Sequence, residues 1–260
     1  MAATQLFQAF YSREVSDDML AEAARLFSEH YGVWGEGGFG KPGRRVRMSA
    51  TRLRDQVLPA GVDGTLVTAT LDGVYAGHVF GCRWTAACGS DDGTGPLRVC
   101  WVTQLVVHRD YRERGLATYM LRVLRGQCGS GSGDVDGATS AVDVFGILSS
   151  QPAACLALAR AVGGPGDLAP RFPSYVRFTR DAAKAVLAAS PVPYVRSAKI
   201  IGGAVAPVTA DTKFFVDHAE PRAALARFQA QRGHPFPLGD HLPAGHEFLL
   251  LVPLKKKDQE

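Results

Sequence analysis

The stretch Val102–Leu124, VTQLVVHRDYRERGLATYMLRVL, joins two patterns that decide how the rest of the chain is read. Gln104–Val107 closes an apolar run that begins near Val99 and is rich in β-branched residues, which predicts a buried strand. From Gly115 the apolar residues recur at Leu116, Met120, Leu121, Val123 and Leu124, the spacing of a helix packed on a sheet. Between them lies His108–Arg114, which carries three arginines. A helix start leaves about four backbone N–H groups without intrahelical partners and carries the positive end of the macrodipole. Gly115 and Ala117 put little bulk in front of those donors, so the stretch predicts an anion cradle open to a phosphate. The side chains of Arg112 and Arg114 are expected to touch that phosphate, with Glu113, Leu116 and Thr118 completing the cradle.

Arg112-Glu-Arg-Gly115-Leu-Ala117 fits the pattern R/Q-x-x-G-x-G/A and follows a strand ending Leu105-Val-Val107. Strand, basic loop and helix in that order resemble motif A of the GNAT family of N-acetyltransferases. The resemblance implies coenzyme A, bound as acetyl-CoA, with its pyrophosphate on residues 112–118. It also implies a pantetheine arm lying along Leu105, Val106 and Val107. Gln151-Pro-Ala-Ala154 is similar to the N-x-x-A that opens the family's next helix, which adds Gln151 to the expected cofactor contacts. The family tyrosine seven residues on is Leu158 here, and the strand positions where relatives place a glutamate are Trp101 and Thr103.

Composition sets the bounds. The chain has 260 residues, 46% of them hydrophobic, enough for a sizeable core. A net charge of +4 with interspersed signs does not demand nucleic acid as a partner. Five cysteines without C-x-x-C spacing read as reduced thiols, neither a disulfide frame nor a zinc site. No run approaches about 18 apolar residues, so no membrane is expected and a cytoplasmic location is the default.

Along the chain, Leu6–Tyr11 predicts a strand, Asp17–His30 a helix capped by Ser16, and Ser49–Leu58 a second helix. Thr65–Leu71 and Val74–Trp84 flank Asp72-Gly73, a strong hairpin signal. Ser140–Leu148 predicts a strand after a low-complexity run, and Pro152 opens the next helix. The order β-α-α-β-β-β-α-β-α over about residues 5–165 is similar to the GNAT core. The expected fold is therefore α/β (α+β), with a mixed, mostly antiparallel sheet of about seven strands. Helices cover both faces, and the sheet is splayed between its fourth and fifth strands. We expect a single domain over 1–260, with an insertion at about 164–207 and a closing β-α-β at about 210–255. Within the latter, Thr212–Val216 and Glu247–Leu254 read as strands and Pro221–Gln231 as a helix. Thr179–Ala189 reads as a short helix and Pro191–Pro207 as irregular or extended.

Competing motifs fail on context. Gly35–Lys41 fits G-x-x-x-x-G-K, but Pro42 stands where a magnesium-binding Ser or Thr must be, and no strand precedes it. His234, His241 and His246 lack ligands at metal spacing, and there is no G-x-S-x-G elbow.

Acetyl transfer to an amine needs a polarised thioester carbonyl, a deprotonated nitrogen and close positioning of the two. Thr103 or Gln104 is expected to order a water, with Glu36, Tyr31, His30 and Asp143 as ionisable alternatives. Tyr31, Trp34 and Glu36 are expected beside the acceptor. The leading expectation is acetyl-CoA-dependent N-acetyltransfer to a primary amine of a small molecule. Transfer to a protein or peptide, and non-catalytic acyl-CoA binding or sensing, are the alternatives.

Overall fold

Strand β1 (Gln5–Tyr11) pairs antiparallel with β2 (Asp63–Leu71), which turns through Asp72-Gly73 into β3 (Val74–Ala86). Asp72 and Gly73 take positive φ angles of 49° and 80° in the computed structural model, as a two-residue hairpin turn requires. The structure describes residues 4–254 apart from 88–94, 130–141, 165, 167 and 203–207. Most of the polar loop 86–97, most of the low-complexity run and the charged tail 255–260 therefore lie outside the described residues.

Helices α1 (Asp17–His30) and α2 (Ala50–Val57) begin where the sequence predicts, each capped by a serine. Ser16 Oγ accepts from the Met19 N–H and Ser49 Oγ from the Arg52 N–H, both at 3.2 Å. Their buried stripes, Leu20 and Ala23 on one and Leu53 and Val57 on the other, pack on Leu66, Phe80 and Trp101 of the sheet. Strand β4 (Leu97–Val107) lies beside β3 and leads to α3 (Leu116–Gly129) on the opposite face. Strand β5 (Val144–Ser149) and α4 (Pro152–Gly163) follow.

Beyond α4 the structure departs from the predicted elements. Helix α5 (Phe172–Ala188) starts a full two turns earlier than expected, because Pro173 sits in its first turn, where a missing N–H costs nothing. The stretch read as irregular or extended holds α6 (Pro193–Ser197) and strand β6 (Lys199–Ile201). Strand β7 is Thr209–Asp211, short of the predicted Thr212–Val216, because Lys213 adopts φ +58° and breaks the extended run. Helix α7 (Ala219–Arg232) and strand β8 (His246–Pro253) complete the chain.

The sheet order is β1-β2-β3-β4-β5-β8-β7-β6, eight strands where about seven were expected, and only β4–β5 is parallel. Helices cover both faces of this mixed, mostly antiparallel sheet. The last strand of the chain is inserted between β5 and β7.

One sequence expectation is corrected in the core. Cys100 and Cys128 form a disulfide that ties β4 to α3, so they are not free thiols. Cys82 and Cys155 are free and buried, and burial pushes the Cys82 thiol up to about 12. Among the described residues no helix is long and apolar enough to cross a membrane.

Candidate active site

β4 and β5 are paired from Val99–Val144 to Val102–Ile147 and no further, although β4 continues to Val107 and β5 to Ser149. From Thr103 onward β4 keeps its antiparallel pairing with β3 but has no strand on its other edge. The two strands part there, and the freed edge opens on a groove of about 1430 Å³. A parted strand edge offers backbone donors and acceptors to an amide-bearing chain such as pantetheine.

A bulge shapes that edge. Phe80 pairs with Gln104 and Gly81 with Val102, leaving Thr103 as the extra residue. Strict alternation puts Thr103 on the same face as Leu105; the bulge undoes this. Leu105 and Val107 pack with the α3 side, whereas Thr103 and Gln104 both turn to the side covered by α1 and α2. Thr103 Oγ1 donates to Val57 O at 3.0 Å, so its hydroxyl proton is already committed. His78 Nε2–H donates to Gln104 Oε1 at 2.8 Å, and burial holds the His78 imidazole down at about 4, hence neutral. Gln104 Nε2 in turn donates to Met48 Sδ at 3.9 Å, and neither Thr103 nor Gln104 is a base.

Beyond the C-terminal end of β4 the loop reaches α3 through two left-handed residues, Glu113 at φ +62° and Gly115 at φ +82°. Gly115 O accepts from Tyr119 N–H at 3.1 Å, so the N–H groups of Leu116, Ala117 and Thr118 have no intrahelical partner and border the groove. A methyl group at Gly115 would meet nothing nearer than the Tyr119 ring at 3.8 Å. The glycine is thus required for its backbone angle more than for space. The arginines behave differently from expectation. Arg112 is spent on the fold: its guanidinium donates to Val107 O and His30 O and pairs with Glu220. Arg114 lies over the Tyr111 ring, 5.3 Å from its centroid, and is not among the residues bordering the groove.

Gln151 stands at the start of α4 on the β5 side of the groove, its side-chain oxygen buried without a partner. Such an atom fits a ligand donor. Leu158, at the family tyrosine position, is wholly buried in the core and offers no acid.

On the acceptor side Tyr31 and Trp34 border the groove, whereas Glu36 is exposed on the loop and lies outside it. Asp143 is engaged by Arg98, which donates to it from Nε at 2.9 Å and Nη2 at 3.0 Å. His30 stacks against His108 with centroids 3.7 Å apart. Its Nδ1 faces the Arg109 N–H at 3.4 Å, and its Nε2 faces Glu29 at 3.7 Å. Nδ1 is thus engaged, while Nε2 stands beyond hydrogen-bond distance of Glu29, and burial holds the imidazole below its ordinary value.

The carboxylate that meets the requirements is one the sequence reading passed over. Glu247 on β8 is 6% exposed and borders the groove beside the strand edge that pairs with Ser149. Burial pushes its carboxyl up to about 7, against the pull of the neighbouring Thr212 hydroxyl. Its charge in turn helps raise the Tyr31 and Tyr194 phenols above their ordinary range, after burial itself. Tyr194 comes from α6 and donates its hydroxyl proton to Thr103 O at 2.8 Å, one residue past the last β4–β5 pair. A signal for Glu247 was present: it shares strand parity with Leu249 and Leu251, both buried, so a carboxylate was written into a core-facing row.

No protein-family model matches the sequence, and no curated protein is similar to it. Among solved structures, an acetyltransferase of the GNAT family from Streptococcus pneumoniae is 9% identical, with 97% of this chain and 100% of that one aligned at a TM-score of 0.39. A putative acetyltransferase from Salmonella typhimurium, with its cofactor acetyl-CoA, is 16% identical over 63% of this chain and 79% of that one, at a TM-score of 0.36. A GNAT-like decarboxylase in complex with isobutyryl-CoA is 12% identical over 95% and 100%, at 0.38. Likenesses of this size say nothing about substrate or reaction, and the functional reading rests on the chain's own geometry.

Proposed function

We propose that this protein is a cytoplasmic, acetyl-CoA-dependent N-acetyltransferase that acts on a primary amine of a small molecule by direct attack. The carrying observation is one juxtaposition. A phosphate-competent helix start and a parted strand edge open onto the same groove as a buried carboxylate poised near neutrality. The non-catalytic alternative drew its support from the missing acid and base; Glu247 offers the base, while Leu158 leaves the acid position empty.

The amides of Leu116, Ala117 and Thr118 would hold the diphosphate. The edge of Leu105–Val107 and the orphaned Gln151 oxygen would hold the pantetheine arm. Acetyl-CoA, when bound, supplies a thioester whose carbonyl carbon takes the new bond to nitrogen as the bond to sulfur breaks. An amide N–H on the bulged edge near Gln104 and Leu105 would donate to the carbonyl oxygen as it gains charge, in a site shielded from water. Glu247 would receive a proton from the incoming ammonium, freeing the nitrogen lone pair, a service worth roughly 10²–10⁴-fold. The proton count closes: of the three on the ammonium, one stays on the amide and two are released, and the sulfur takes up one from water. A thiol ordinarily titrates at about 8.5, so the leaving sulfur is protonated from water and needs no tyrosine at position 158.

The test is thiol release from acetyl-CoA over a panel of amines, with Glu247→Gln alongside. Turnover by the native chain that is lost in the variant supports the reading. Tight CoA binding with no turnover on any amine or peptide overturns it.

A further inference from the structure

On the acceptor side a file of aromatic rings leads outward from Glu247. Tyr31, close enough to Glu247 for its phenol to respond to the carboxylate, is tilted against Phe214 at 5.9 Å between centroids. Phe214 meets Trp34 edge-on at 5.7 Å, and Trp34 meets Phe39 edge-on at 6.2 Å. All four border the same groove. Phe39 is 85% exposed at its outer end, an unusual outlay for a large apolar ring. The file is also held in place. Trp34 bridges to Val216, the Gly35 N–H donates to Phe215 O at 2.9 Å and the Asp217 N–H to Val33 O at 2.9 Å. The loop lies so close over the indole that a methyl group at Gly38 would come within 2.7 Å of the Trp34 ring.

We infer that the acceptor is an arylalkylamine: its ammonium reaches Glu247, and its ring lies among Tyr31, Phe214, Trp34 and Phe39. A row of ring faces and edges rewards an aromatic body beyond its apolar area, and ring faces also attract the cationic end as it passes. Arg45, Arg47 and Arg52 also border the groove, a surplus over the neighbouring Asp55 that weighs more against a polyamine or a lysine-rich peptide than against a single ammonium. This inference rests on the transfer reading above and narrows it.

The experiment compares 2-phenylethylamine and tryptamine with 2-cyclohexylethylamine, spermidine and a lysine-containing peptide. Thiol release and calorimetric binding in the presence of CoA are both measured. The expected result is a kcat/KM for 2-phenylethylamine about threefold or more above that for 2-cyclohexylethylamine, and far above that for spermidine. Phe39→Ala, at an exposed position, and Phe214→Leu should each raise KM for the aromatic amines several-fold while leaving kcat near the native value. Preferred turnover of spermidine or peptide, or equal use of the cyclohexyl and phenyl compounds, would overturn the inference and leave the transfer reading standing. If no amine is acetylated, calorimetry decides. Binding of 2-phenylethylamine that Phe39→Ala weakens keeps the aromatic site and sinks the transfer reading, while absence of binding sinks both.

Discussion

The Tyr194 hydroxyl donates to the Thr103 carbonyl oxygen at 2.8 Å, joining the segment between α4 and β7 to the one extra residue of the β4 bulge. In the proposed reaction the bulge would aim the backbone beside the thioester, so whatever fixes the bulge would also fix the oxyanion donor. Removing the hydroxyl leaves a buried carbonyl without its partner, which costs about 1–3 kcal/mol. Tyr194→Phe should lower the urea midpoint by a corresponding amount. It should reduce kcat roughly tenfold through misplacement of the donor, with the pH profile unmoved. A profile shifted along with kcat would show that Tyr194 titrates in the reaction, contrary to its placement.

In the proposed reaction Glu247 sets the pH dependence of activity. With its carboxyl at about 7, kcat/KM should rise through that region as the base becomes available. Glu247→Gln should lose roughly 10²–10⁴-fold and with it the acid limb of the profile. Retention of a limb near neutrality in the variant would transfer the role to another group.

The same shift has a stability consequence, and its sign is opposite to that of a salt-bridged carboxylate. Between the ordinary value of 4.5 and the folded value of about 7, the native chain holds a proton on Glu247 that the unfolded chain has lost. This residue's contribution to stability therefore falls as pH rises through that window, by up to about 3 kcal/mol. Glu247→Gln should gain on the native protein as pH rises from about 5 to about 8, as read by urea unfolding at both. An unchanged difference would mean that the carboxyl is not desolvated.

Gly115 tests the anion site. At φ +82° a β-branched side chain is strained, so Gly115→Val should distort the turn into α3 and weaken CoA binding about tenfold or more. Arg112→Ala should cost stability instead, since that guanidinium ties His30 and Val107 together, and should change CoA affinity less. The reverse ranking in calorimetry would return the phosphate to the arginine side chains.

Much of the architecture could be read from the chain because it is written locally. The cap at Ser16, the Asp-Gly turn and the apolar spacing after Gly115 act over a few residues, and α1 begins and ends where they predict. What could not be read depends on partners distant in sequence. Parity counting from Leu105 misplaced Thr103, because a bulge cancels alternation and leaves no mark in composition. Arg112 looked like a phosphate ligand until Glu220 and the His30 carbonyl claimed it. Glu36 had the right chemistry near the right helix but sits outside the groove, while the suitable carboxylate arrives on β8 from the far end of the chain.

The placement of β8 between β5 and β7 has a bearing on how the protein is made. The turn into α3 is shaped mostly by neighbours along the chain, so it can form while synthesis is still under way. The far side of the groove cannot: Trp34 must wait for Val216, and Glu247 lies on β8, which has to slot between β5 and β7 in a sheet already partly assembled. Closing loops of that span is slow, so the groove is completed late in folding.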